Sequence, residues 1–236
     1  MSLMKSHITD SILFVEFRDP STRNSFSLRA AEELHSILQK ERGNYTGFIF
    51  TAQGRVFCSG GNLADYSALS EAEQGKEINR RIAEILDEVS RLPVPTVCLV
   101  QGDCFGGGLE LISAFDVILS APSVLFGFWQ RKIGLSYGWG GGARLERRLG
   151  EHRVRQLALR AMTFGALEAH RIGLIDGVYL EHLLLSEAVA MVRAMARLPK
   201  GPVASVKSLT PANERETFEK LWWNDEHRAV LNRYRS

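Results

Sequence analysis

The sequence predicts an α/β fold, and three observations carry that expectation. Short β-branched or aromatic runs recur along the chain, stretches with helical spacing of apolar residues separate them, and the strands GFIFTA and TVCLVQ each hand over to a glycine-bearing loop. With 236 residues, 45% of them hydrophobic, the chain can bury a sizeable core.

ILFVEF (12–17), rich in β-branched and aromatic residues, reads as a strand that the turn RDPSTRN (18–24) ends. A helix follows from Ser27, with Leu28, Ala31, Leu34, Ile37 and Leu38 on its apolar side and Gly43 placed to stop it. GFIFTA (47–52) is a buried strand leading into the loop QGRVFCSGGN (53–62). Ser70 and Glu73 have capping-box spacing before a long helix whose stripe is Ile78, Ile82, Ile85, Leu86 and Val89. Pro93 and Pro95 end that helix, and TVCLVQG (96–102) is a third strand. VILSA (117–121) and VLFGF (124–128) read as strands around a Pro122 turn, and LIDGVYL (174–180) as another. The remainder is helical, with one helix over 186–198 and one long helix over 214–234. No linker interrupts the chain, so a core over 1–180 and a helical region over 181–236 form one unit.

Charge narrows the function. Twenty-nine basic and 27 acidic side chains are interspersed, which leaves no footprint for nucleic acid or a membrane and favours a small soluble ligand. The six arginines of ARLERRLGEHRVRQLALR (143–160) read as a solvated helix face, with contact to an anionic cofactor or RNA as the lesser alternative. Cys58, Cys98 and Cys104 show no metal spacing, and the six histidines lie away from the glycine loops, so no metal site is expected. There is no run of ~18 apolar residues and no secretory signal pattern, which points to a cytoplasmic protein.

The chemistry concentrates in GDCFGGGLEL (102–111). Each glycine in a packed element costs ~0.5–1 kcal/mol, so three in a row imply that something approaches the main chain closely. A phosphate loop would carry a lysine and a hydroxyl after the glycines, and LEL stands there instead. A dinucleotide fingerprint can be forced onto GWGGGA (138–143), but no buried strand precedes it. The third reading is a pair of backbone N–H donors facing an oxygen that becomes negative during reaction. FCSGGN (57–62) follows its strand as GDCFGGG follows its own, so neighbouring strands can bring Gly61 and Gly107 together. Glu110 is then either an acid/base or a carboxylate that complements its helix dipole, worth ~0.3–1 kcal/mol.

These residues carry a family resemblance. GRVFCSGGNL (54–63), QGDCFGGGLELISAFDVILSA (101–121), RNSFSL (23–28), FGFWQRKIGLSYGWGGGARL (126–145) and ALEAHRIGLIDGV (166–178) are similar, in order, to segments of the crotonase, or enoyl-CoA hydratase/isomerase, superfamily. The resemblance implies a spiral of ββα units with a C-terminal helical trimerisation region, a homotrimer or hexamer, and an acyl-CoA thioester substrate. Coenzyme A is then part of the substrate, and no tightly bound cofactor is expected. It assigns the thioester oxygen to the amides of Gly61 and Gly107 and acid/base work to Glu110. Arg23, Ser59 and Leu63 fall at coenzyme-binding positions. The second acid of a two-glutamate hydratase falls on Gln130, and an amide does not exchange protons as a carboxyl does. Asn62 stands where the family commonly has aspartate.

Hydratase/isomerase chemistry is therefore the first expectation. Decarboxylation of short branched malonyl-type thioesters is the second, because it needs only a proton donor after CO₂ leaves. A non-catalytic coenzyme- or RNA-binding relative is the alternative from another class. Phe126, Phe128 and Trp129 either line an acyl pocket or belong to the core, and Trp222 and Trp223 are expected between subunits.

Overall fold

The computed structural model describes residues 2–234. The chain opens with a hairpin of β1 (Met4–Thr9) and β2 (Ile12–Phe17), antiparallel with Met4 opposite Phe17 and Thr9 opposite Ile12. Asp10 and Ser11 make its turn with φ of 51° and 60°, the geometry whose twist suits two-residue hairpins. MKSHIT is mostly polar and exposed beyond Met4, which is why only β2 is conspicuous in the sequence. Helix α1 (Leu28–Lys40) follows, and the Ser27 side chain caps it by accepting from the Ala30 N–H.

The core then repeats one step. The unit β3 (Gly47–Ala52), β4 (Val56–Cys58), α2 (Leu63–Ser67) and α3 (Ala72–Ser90) is followed by β5 (Thr96–Val100), β6 (Asp103–Phe105) and α4 (Gly107–Ile112). Next come β7 (Val117–Ser120), β8 (Leu125–Gly127), α5 (Gly141–Leu149) and α6 (Glu151–Leu159). In each unit the first strand joins a six-stranded sheet ordered β1-β2-β3-β5-β7-β10, and the second joins a four-stranded sheet ordered β4-β6-β8-β9. The pairings β2·β3, β3·β5 and β5·β7 are parallel, as are β4·β6 and β6·β8. Every residue of β5 is buried, which fits a continuous apolar run covered on both faces.

The chain closes with β9 (Thr163–Gly165), α7 (Ala166–Arg171), β10 (Gly177–Val178), α8 (Glu181–Ala196), α9 (Gly201–Lys207), α10 (Glu214–Leu221) and α11 (Asp225–Asn232). Helix α8 buries Leu184, Ala188 and Val192 against the large sheet.

Several boundaries differ from the sequence expectation. The capping box of α3 is formed by Glu71 and Gln74, one residue later than the Ser70–Glu73 spacing. VILSA and VLFGF are strands of different sheets, and LIDGVYL contributes only two strand residues. The expected last helix is two, broken where Trp223 takes φ 64° and Asn224 caps α11 by accepting from His227 N–H at 2.8 Å. The arginine stretch is not wholly solvated. Arg144 is buried, and Arg148 pairs with Asp176.

Candidate active site

Parallel pairing of β4 with β6 sets their following loops side by side. A Cβ added to Gly60 would lie 3.3 Å from the Gly107 nitrogen. The segment after the first hairpin laces the same loop from outside, with Ser59 N–H donating to Arg23 O at 3.2 Å and Phe26 N–H to Gly60 O at 2.8 Å. Neither the Gly61 nor the Gly107 N–H meets a backbone acceptor among the described residues. The indole of Trp139 lies across both. A Cβ on Gly107 would be 2.6 Å from its Cη2 and one on Gly61 3.3 Å from its Cζ2, so a bare backbone is required by close approach.

Glu110 projects from α4 beside these glycines and is 2% exposed. Its carboxyl accepts from Trp139 N–H at 2.8 Å, Gly141 N–H at 3.1 Å and Gly138 N–H at 3.3 Å. All three donors belong to a distant segment, so the group does not merely complement its own helix. Gln130, 9% exposed, brings Nε2 to 3.5 Å from Glu110 Oε1. Burial pushes the Glu110 carboxyl above its ordinary range, while these hydrogen bonds, which favour the anion, pull part of the way back.

Arg144 locks the two segments together. Its guanidinium donates to Trp139 O at 2.8 Å, Glu110 O at 3.3 Å and Ser113 Oγ at 3.1 Å, and pairs with Asp87 at 2.8 Å. Asn79 on α3 fixes the indole, accepting at Oδ1 from Trp139 Nε1 and from the Tyr66 hydroxyl, each at 2.8 Å. A cleft of about 740 Å³ opens from this inner end to a mouth lined by Ser70, Lys76, Arg80 and Ile133. The Tyr137 hydroxyl on its wall is buried with no hydrogen-bond partner among the described residues, a polar group left for an occupant to satisfy.

The structure thus brings Gly61, Gly107, Glu110, Gln130 and Leu63 to one cleft. Arg23 and Ser59 adjoin its glycine loop from outside, Arg23 exposed and Ser59 hydrogen-bonded through Oγ to Thr22 O at 3.3 Å. Asn62 caps α2, accepting from Ala64 N–H at 3.1 Å and Asp65 N–H at 3.4 Å, work that an amide does as well as a carboxylate. Phe126 and Phe128 are wholly buried in the core. Trp129 stacks on Phe105 at 3.9 Å and donates to Thr163 Oγ1 at 2.7 Å, away from the cleft. The cysteines are buried, and burial pushes the Cys58 thiol up to about 12, so it stays protonated.

Sequence reasoning missed Trp139, Asn79, Tyr66, Tyr137 and Arg144. The available signals were a tryptophan set among glycines and a polar residue beside the apolar stripe of α3.

Strand pairs that step between two parallel sheets, each followed by helix, with one buried acid at a cleft between successive loops, define a crotonase-fold protein. The chain belongs to the enoyl-CoA hydratase/isomerase family, whose sequence model matches residues 7–224. It is 30% identical over 201 residues to ethylmalonyl-CoA decarboxylase of Gallus gallus, covering 79% of this chain and 67% of that one. It is 33% identical over 151 residues to the mitochondrial methylglutaconyl-CoA hydratase of Homo sapiens, covering 63% of this chain and 44% of that one. The match thus spans well under the full length of these relatives. Among solved structures, an enoyl-CoA hydratase from Bacillus anthracis superposes with a TM-score of 0.89 at 25% identity, covering 99% of this chain and 96% of that one.

Proposed function

We propose that this protein processes a short acyl-CoA thioester through an enolate, with the amides of Gly61 and Gly107 holding the thioester oxygen and Glu110 as the sole acid/base. The observation that carries this reading is a buried carboxyl beside two free glycine amides at the closed end of a cleft. Arg23 and Ser59, on the outer side of the glycine loop, and Leu63, which lines the cleft, are the proposed coenzyme contacts. Assembly into trimers or hexamers through the C-terminal helices belongs to the same reading, supported by exposed Phe218, Trp222 and Trp223.

The family resemblance of the sequence favours hydratase/isomerase chemistry first. The contact of Gln130 with Glu110 favours a reaction that needs one carboxyl group. Hydration demands a base for water and a proton for the α-carbon, and among the described residues Glu110 is the one carboxyl group at the inner end of the cleft. In decarboxylation of a malonyl-type thioester, the bond from the α-carbon to the carboxylate breaks and CO₂ leaves. Its electron pair enters the enolate, and protonated Glu110 then delivers a proton to the α-carbon. The raised affinity of Glu110 for its proton suits that role. Similarity to an ethylmalonyl-CoA decarboxylase agrees with this reading, and similarity to a methylglutaconyl-CoA hydratase keeps hydration as the alternative.

The test is incubation with methylmalonyl-, ethylmalonyl- and crotonyl-CoA, following CO₂ release and hydration separately. CO₂ release without hydration is expected, and Gln130→Glu should raise hydration. Hydration by the unaltered enzyme would reverse the ranking.

A further inference from the structure

We infer that Trp139, pinned by Asn79, sets the length of the acyl group that the cleft admits and confines it to short chains. This inference rests on the thioester reading above and names the substrate class more narrowly.

Trp139 is 4% exposed and tethered at several points. Its backbone N–H binds Glu110 and its carbonyl accepts from Arg144. Its ring packs on Phe26, with centroids 5.9 Å apart, and lies against both glycine loops. The indole N–H is a donor only, so its bond to Asn79 fixes which amide atom of Asn79 faces it. Asn79 is fixed in turn, accepting from Tyr66 and donating from Nδ2 to Gly75 O at 2.7 Å. A ring held by packing and by a side-chain amide that is itself fixed by three hydrogen bonds does not swing aside for a bulky ligand.

The seat for the thioester oxygen lies between the Gly61 and Gly107 amides, and the indole edge touches both residues. Glu110 must reach the carbon next to the carbonyl, and its carboxyl is bonded to the Trp139 backbone. The first carbons of the acyl group therefore sit beside the indole. Carbons beyond them meet the ring or double back toward the mouth, alongside the rest of the thioester. The ring cannot retreat cheaply, because backbone lies behind it on the glycine side and Phe26 also packs against it.

Binding of saturated thioesters tests this without turnover. Acetyl-, butyryl-, hexanoyl- and octanoyl-CoA are titrated calorimetrically into the unaltered protein, Trp139→Ala, Trp139→Leu and Asn79→Ala. The unaltered protein should bind octanoyl-CoA at least about tenfold more weakly than butyryl-CoA. Both Trp139 substitutions should remove that difference by raising the affinity for octanoyl-CoA relative to acetyl-CoA. Asn79→Ala, which keeps the indole but frees it, should shift the profile in the same direction by less. Should Trp139→Ala fail to fold, Trp139→Leu and Asn79→Ala carry the comparison, with thermal melts as the folding control. Equal binding of all lengths by the unaltered protein, or an unchanged length profile in folded variants, overturns the length stop and leaves the thioester reading standing. If no thioester binds the unaltered protein, that reading itself falls, and the length stop with it.

Discussion

The inner end of the cleft and the C-terminal arm are built on opposite terms. Around Glu110, backbone amides, Gln130 and the Arg144 lock converge from separate segments, and nearly everything is buried. Along α9, α10 and α11 no residue is buried, and Phe218, Trp222 and Trp223 are each more than half exposed. Helices of seven or eight residues are marginal in water by themselves. The arm is tied to the core by Lys207, whose ammonium meets Asp116 and the Val94 carbonyl, each at 2.7 Å. The site thus draws its geometry from tertiary packing within one chain, whereas the arm has apolar surface and no core of its own.

Glu110→Gln breaks the buried region most severely. Loss of the proposed acid/base, the one carboxyl group at the inner end among the described residues, should lower kcat by about 10²–10⁴. The same variant reports burial through pH. Folded Glu110 holds its proton to higher pH than the unfolded chain does, so the native state binds more protons between the ordinary glutamate range and the raised value. Its contribution to stability falls as pH rises through that window and is absent in Glu110→Gln. Urea denaturation of both proteins across pH 4–8 measures the difference; identical slopes would mean that the carboxyl is solvated. A proton-donating role also predicts that the rate falls over the same window, whereas a base role predicts that it rises.

Gly107→Ala is the next largest perturbation. The new Cβ would meet the Trp139 ring, so the ring or the loop must shift, at ~1–3 kcal/mol of stability. Displacing one amide from the reacting oxygen should cost about 10²–10³ in kcat. Adding Trp139→Leu relieves the clash, and a double-mutant cycle should return a favourable coupling in stability. Strict additivity would mean that the two residues do not press on each other.

The same contrast explains what was legible in the sequence. Strands such as GFIFTA and TVCLVQ and the stripe of α3 announce themselves by local pattern, and the glycine loops follow from them. The pairing of Gly61 with Gly107, and Glu110 as the group beside them, was likewise legible, because two strands with the same following motif have only to be neighbours. Trp139 was not, because its role depends on contacts with residues 32, 60, 78 and 113 positions earlier in the chain, which no window along the sequence contains. The break between α10 and α11 was hidden too. The run FEKLWWNDEHRAV keeps helical spacing, and one residue in the left-handed region overrides it.

The arm provides the smallest expected effect and the sharpest separation of the two regions. Phe218 stacks on Trp222 at 5.6 Å, and both face outward from the isolated chain. Replacing both with serine removes little buried area within one subunit, so each change should alter the stability of a lone chain by less than ~0.5 kcal/mol. If these side chains cover another copy of the chain, the pair of substitutions should shift the particle mass from oligomer toward monomer in light scattering. Turnover at saturating substrate should change least of all, because Gly61, Gly107 and Glu110 are assembled from residues before α5, and their buried supports lie in the core of the same chain. An unchanged mass would show that the exposed aromatic face does not hold subunits together. A collapse of turnover in a still-folded monomer would show that the cleft needs a neighbour, against the self-sufficiency that its hydrogen bonds describe.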